Sequence, residues 1–189
     1  RKQVVRRTGG RPNGLAIDGD GLLWIAEAGL RALICIDQSG KEIKRIAGDA
    51  TGPFLFPNDV AFGPDGHLYM TDSGMAAQDF IDGQNFVEGF MELPWDGRVY
   101  EIDPIAATVV RIIDRGILFT NGIAFGPDGT LYANASFTGE VYRYDLGKKN
   151  PERVVFWPGE RCTLPVAVSH YSSVDLAQGR LTWAFEGSS

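Results

Sequence analysis

Asn13-Gly-Leu-Ala-Ile-Asp-Gly-Asp-Gly-Leu-Leu-Trp24, Asn58-Asp-Val-Ala-Phe-Gly-Pro-Asp-Gly-His-Leu-Tyr69 and Asn121-Gly-Ile-Ala-Phe-Gly-Pro-Asp-Gly-Thr-Leu-Tyr132 align without a gap. Their asparagines stand 45 and then 63 residues apart. A strand-rich unit repeating every 40–45 residues or so is the mark of propeller blades. Each copy opens with a short apolar strand (Leu15–Ile17, Val60–Phe62, Ile123–Phe125) that a Gly-Asp-Gly or Gly-Pro-Asp-Gly turn reverses. Glycine accepts the positive φ such a turn needs, and aspartate caps its own turn. A second strand follows (Leu22–Ala26, Leu68–Thr71, Leu131–Ala133), then a third that ends in aspartate (Leu33–Asp37, Val99–Asp103, Val141–Asp145), then a fourth (Glu42–Ile46, Val109–Ile113, Val154–Phe156). No stretch carries a helical period.

The sequence therefore predicts an all-β chain, a β-propeller of four-stranded antiparallel blades, as one partial propeller domain over residues 1–189. Three whole repeats lie near 13–57, 58–120 and 121–163, and a degraded fourth occupies 164–189. In the fourth, Val174-Asp-Leu-Ala-Gln-Gly-Arg-Leu-Thr-Trp183 carries one extra residue, Thr182, which turns the following side chains to the other face unless a bulge absorbs it. Gln3–Arg6 reads as the last strand of a preceding blade. Propellers have about 4–8 blades. The chain then closes as a small ring, stays open or completes a ring with another copy; three blades from each of two chains would make a ring of six, and a homodimer is the hypothesis this offers.

The middle repeat differs in one place. From its asparagine to the aspartate ending its third strand is 45 residues, against 24 in the other two copies. The excess lies within Gly74–Asp96 and holds Phe80, Phe86, Phe90, Met91 and Trp95. A long loop in a compact domain is usually functional or disordered. Its aromatics suit a lid over one face of the propeller, and equally a hairpin packed on its own blade.

Composition narrows the function classes. A net charge of −6 supplies no basic stripe for nucleic acid. No apolar run approaches the roughly 18 residues of a membrane span, and no charged–apolar–cleavage pattern follows Arg1. A soluble, cytoplasmic setting is expected. Cys35 lies in an apolar strand and reads as a buried thiol; Cys35 and Cys162 alone make no disulfide framework.

The first strand of each blade lines the channel of a propeller, so equivalent residues converge there. Asn13, Asn58 and Asn121 should crowd one mouth, either as turn residues or as neutral oxygen ligands for a hard cation such as Ca²⁺. Glu27 and Asp72 share one repeat position, where the third copy has Ala135. They either bring charge to the channel or end a strand on the surface, and the surface is the plainer reading. Asp37, Asp103 and Asp145 serve the turn after the third strand, and His67 reads as a solvated residue beside a turn. Gly-x-Ser-x-Gly elbows, phosphate loops and Cys-x-x-Cys pairs are absent from the sequence.

Pro12-Asn13-Gly-Leu-Ala-Ile-Asp, Pro57-Asn58-Asp-Val-Ala-Phe-Gly-Pro-Asp-Gly, Thr71-Asp72-Ser-Gly and Asn121-Gly-Ile-Ala-Phe-Gly-Pro-Asp-Gly-Thr-Leu-Tyr resemble the gluconolactonase and senescence-marker-protein (regucalcin) family over about residues 9–160. The resemblance implies a six-bladed propeller that binds one divalent metal in the channel and hydrolyses lactones. It implies Ca²⁺ first, with Zn²⁺ or Mn²⁺ as alternatives, and a small-molecule lactone as partner. The family holds its metal with a Glu from the first blade, two Asn from middle blades and an Asp from a later Asp-Gly. Asn58 and Asn121 match the two Asn. The Glu has no counterpart here, and the later Asp-Gly falls at His170-Tyr171. His170 then either replaces a carboxylate ligand or is a residue of a drifted segment, and no catalytic base is assigned. Two neutral ligands hold a divalent ion weakly, so Asp59, Asp72 or a second chain would have to supply charge. The expected function is a metal-dependent lactonase-type hydrolase or a truncated relative of one. The alternative is a non-catalytic propeller fragment that binds a partner or itself.

Overall fold

A computed structural model describes residues 2–83 and 85–147 and the backbone of 154–155. The repeat reappears as three four-stranded antiparallel sheets. The first contains β1 (Pro12–Ile17), β2 (Leu23–Glu27), β3 (Ala32–Ile36) and β4 (Glu42–Ile46). A small hairpin, β5 (Gly48–Asp49) and β6 (Gly52–Pro53), leads to the second sheet. That sheet starts with β7 (Pro57–Phe62) and β8 (Leu68–Asp72). The insert follows, with one helical turn α1 (Ala77–Phe80), the two-residue strands β9 (Ile81–Asp82) and β10 (Asn85–Phe86), and a 3₁₀ turn at Phe90–Glu92. The sheet then closes with β11 (Gly97–Asp103) and β12 (Thr108–Ile117). The third contains β13 (Thr120–Phe125), β14 (Leu131–Ala135), β15 (Glu140–Tyr144) and β16 (Val154–Val155). Strand order follows chain order in every sheet, with β1, β7 and β13 innermost and adjacent to one another. This is the arrangement of propeller blades.

The turns form as their residues dictate. Asp37 accepts the N–H groups of Ser39 and Lys41, Asp103 those of Ile105 and Ala106, and Asp145 that of Gly147. The glycines that close the first turn of each blade, Gly21, Gly66 and Gly129, all take positive φ. Gln3–Arg6 departs from expectation, since it forms no strand among the described residues. The Arg6 side chain holds this segment instead, donating to Gly40 O and Glu42 Oε2, each at 2.8 Å. The degraded repeat at 164–189, with Thr182, and Cys162 lie outside the described residues.

Strand alternation builds two cores from one blade. Leu68, Met70, Tyr100 and Ile102 of the second blade join Trp24, Ala26, Leu33 and Cys35 of the first. Tyr69 and Val99, one residue out of phase, join Ile123, Leu131, Ala133, Tyr142 and Tyr144 of the third. Successive side chains of a strand point to opposite faces, so the middle blade feeds both interfaces at once. Cys35 lies fully buried in the first, as expected, and burial pushes its thiol up to about 11. It is not a nucleophile at neutral pH. Close approach of the inner strands requires Gly14, where a Cβ would lie 2.2 Å from Asp59 Oδ1 and 2.5 Å from Asp59 Cα.

Leu33→Ala and Met70→Ala each remove a fully buried side chain from the first interface. Each should cost about 2–5 kcal/mol in urea denaturation, while Ile43→Ala on the exposed outer strand should change stability by about 0.5 kcal/mol or less.

Candidate functional site

All three inner strands carry the same bulge. Pairing runs from Pro12 to Leu15, Pro57 to Val60 and Thr120 to Ile123 with one extra residue on the inner strand. A bulge re-aims the side chains within it, and Asn13, Asn58 and Asn121 are the residues re-aimed. Pro12 pairs with Glu27, Pro57 with Asp72 and Thr120 with Ala135. The asparagines therefore share one end of the blades with the loops joining second to third strands, and that end includes the insert.

Two asparagines are held alike. Asn58 Nδ2 donates to Ser73 Oγ at 2.8 Å and Asn121 Nδ2 to Ser136 Oγ at 2.9 Å, each serine standing fifteen residues after its asparagine. With the amide nitrogen occupied, the amide oxygen is the end left for a ligand. The first blade has Ala28 at the serine position, and Asn13 Nδ2 crosses instead to Asn58 Oδ1 at 3.0 Å. Asn13 is thus a strut on Asn58. Asn58 Oδ1 keeps one lone pair, and two neutral oxygens on adjacent strands fit a hard cation as part of a ligand set.

Hydroxyls tie the second blade to the third at this level. Ser73 Oγ donates to Thr120 O at 2.7 Å, Thr71 Oγ1 to Asn121 O, and Thr120 Oγ1 to Asp72 O at 2.5 Å. Asp59 adds a fourth tie: its Oδ2 accepts the Ile123 N–H at 3.1 Å and its Oδ1 the Val60 N–H at 2.8 Å. Half-buried, Asp59 lines a recess of about 300 Å³ with Gly122, Ile123 and Tyr132.

The surface reading of Glu27 and Asp72 is corrected, because both are buried. Asp72 accepts three backbone N–H groups, from Leu55, Phe56 and Gly74, at 2.8, 2.9 and 2.9 Å. Burial pushes its carboxyl above the usual range, against the pull of those three donors. Glu27 accepts Thr8 Oγ1 and the Leu30 N–H. Both carboxylates are engaged by donors from the surrounding loops, as Asp59 is by Val60 and Ile123. His67 is corrected as well. It is half-buried, its Nδ1 2.7 Å from Glu101 Oε1, while Arg111 donates to the other oxygen of Glu101. His170 lies outside the described residues.

The insert leaves its own blade to join a shared aromatic layer. Phe80 touches Phe56, Phe86, Trp95 and Phe119 at centroid distances of 5.0–6.1 Å. Phe137, from the third blade, touches Phe86, Phe90, Trp95 and Phe119 at 4.4–5.8 Å. Phe56 and Phe119 stand two residues before Asn58 and Asn121, so the layer adjoins the candidate ligands. Asp96 closes the neck, donating its N–H to Gly74 O and accepting from Arg98 and Arg115. Those two guanidiniums outweigh burial and hold its carboxyl below the usual carboxylate range.

The family model described as "SMP-30/Gluconolactonase/LRE-like region" matches residues 48–161, more than half of the chain. The chain belongs to this family. It is 33% identical over 124 residues to Protein STRICTOSIDINE SYNTHASE-LIKE 4 of Arabidopsis thaliana, which covers 65% of this chain and 32% of that protein. It is 30% identical over 129 residues to a gluconolactonase of Zymomonas mobilis, covering 66% and 33%. Among solved structures, a putative gluconolactonase superposes with a TM-score of 0.63 at 25% identity, over 80% of this chain and 51% of that one. A gluconolactonase of Xanthomonas campestris gives 0.61 at 25% identity, over 77% and 48%. A virginiamycin B lyase of Staphylococcus aureus, at 0.53 and 14%, shares the fold alone. This SMP-30/gluconolactonase-like chain spans about a third of the length of these curated relatives and about half of these solved ones.

Sequence reading missed Ser73, Ser136 and Phe137. The serines had a signal, since both stand at the same offset from an asparagine. Phe137 had none, because its neighbours come from a different blade.

Asp72→Ala should leave the buried N–H groups of Phe56 and Gly74, and the part-buried one of Leu55, without an acceptor and cost on the order of 3 kcal/mol. Denaturant melts should show that loss, and limited proteolysis should show faster cutting between Gly74 and Asp96.

Proposed function

We propose that this chain is a lactonase-type hydrolase domain that holds a divalent cation through the amide oxygens of Asn58 and Asn121. The observation that carries the reading is the pair of matching Asn–Ser bonds on neighbouring inner strands, in a member of the gluconolactonase-like family. Ca²⁺ suits two neutral hard oxygens best; Zn²⁺ and Mn²⁺ are the alternatives. A bound cation would polarise the lactone carbonyl. The chain's own residues orient the two ligands through Ser73 and Ser136 and support them through Asn13. Asp59, next to Asn58 and bonded to Ile123 N, is the carboxylate best placed to add charge there. The aromatic layer shields the mouth from water.

Thermal melts with added Ca²⁺, Zn²⁺ or Mn²⁺ and after chelation test the site. One ion should raise the Tm of the wild type by several degrees and leave the Asn58→Ala/Asn121→Ala variant unmoved, and acid should be released from a lactone panel. A wild type indifferent to every ion, or a variant that responds equally, ends this reading.

A second reading, self-assembly, rests on the outer flank of β1. Leu15 is 56% and Ile17 68% exposed, on the side of the strand away from the first core. Paired flanks from two copies would cover these residues and bring six blades together. Light scattering should then give the mass of two chains, and the mass of one chain would exclude it.

A further inference from the structure

The aromatic layer beside Asn58 and Asn121 bears on what kind of molecule the mouth admits. Phe86 is half exposed, at 50%, and stacks on Phe90 at 4.6 Å. Both rings meet Phe137 edge-on, at 5.6 and 5.0 Å. Phe137 directly follows Ser136, the residue that orients Asn121. The wall next to the candidate ligands is therefore made of partly open ring faces. The layer's one ring N–H, on Trp95, already donates to Phe90 O at 2.8 Å. Gln78, Asp79, Asp82, Asn85, Glu88 and Glu92, polar residues of the insert, are exposed and do not hydrogen-bond into the layer among the described contacts.

Such a wall discriminates by chemistry. A polyhydroxylated ring laid on these ring faces gives up water at the hydroxyls that meet them and finds no donor or acceptor there in return, which is unfavourable for every group so stranded. An aryl or alkyl substituent loses no hydrogen bonds, buries apolar area and can stack on or abut the exposed rings. Resting on the lactonase reading above and naming its substrate class, we infer that the lactone taken at this mouth carries an apolar, aryl or alkyl, group, and that Phe86, Phe90 and Phe137 select it over a sugar lactone.

The test uses the whole chain and two probes, 3,4-dihydrocoumarin and glucono-δ-lactone. Acid release should give a kcat/KM at least tenfold higher for dihydrocoumarin, and Phe86→Ala and Phe137→Ala should each reduce that ratio several-fold, chiefly through KM. Binding of each probe to the chelated protein, followed by ligand-observed NMR, provides a readout independent of turnover. Dihydrocoumarin should bind, glucono-δ-lactone should not, and both substitutions should weaken binding at least several-fold. Circular dichroism confirms that the variants fold, and half-exposed Phe86 is the safer site in that respect. Equal binding of the two probes, preference for the sugar lactone, or binding indifferent to both substitutions overturns the inference. Absence of turnover with selective, Phe-dependent dihydrocoumarin binding overturns the lactonase reading and supports the apolar selectivity. Turnover that favours glucono-δ-lactone does the reverse.

Discussion

The two-residue period of the strands governs this structure. Along β8, Leu68 and Met70 enter one core and Tyr69 the other; along β11, Tyr100 and Ile102 go one way and Val99 the opposite way. A sheet with both faces apolar is stable only between two others, so each blade requires neighbours. The same alternation fixes register, because a slip of one residue would exchange the two cores and put Glu101 where Tyr100 now lies. The inner strands are drawn together as a result, and the candidate ligands with them.

Convergence alone would bring asparagines near each other without aiming them. The bulge in β1, β7 and β13 supplies the aim, and the serines at positions 73 and 136 hold the result. Where Ala28 replaces the serine, the amide of Asn13 turns to Asn58. One substitution thus separates two ligand-like asparagines from one that supports them. The buried carboxylates follow another logic: Asp72 and Glu27 gather loop N–H groups and shape the mouth from behind.

The repeat made the fold legible. Gly-Pro-Asp-Gly turns, alternating apolar residues and the aspartates at 37, 103 and 145 are local signals, and the strands they predict are the strands observed. The inner strands run further back than expected, to Pro12, Pro57 and Thr120, because a bulge interrupts the alternation that marks a strand. The site was half legible. Asn58 and Asn121 showed themselves by position in the repeat, whereas the burial of Glu27 and Asp72 depends on which loops fold over them. His67 misled for a similar reason, since its partner Glu101 is 34 residues away on another strand. The insert announced its aromatics and concealed their destination, which includes residues of the third blade.

The hydroxyl bonds from Thr71 and Ser73 to the backbone at Thr120 and Asn121 have a mechanical consequence. They lie at one end of the seam between the second and third blades; further along it Tyr144 donates to Asp114 Oδ2 at 2.8 Å and Arg111 to Leu146 O at 3.5 Å, with apolar side chains between. Directional bonds yield over a short separation, while apolar contact tolerates sliding. The seam is thus pinned at the mouth and again further out, like a book clasped at its fore-edge with its spine held. Strain arriving from neighbouring blades would move the two blades as one body, leaving the spacing of the asparagines undisturbed.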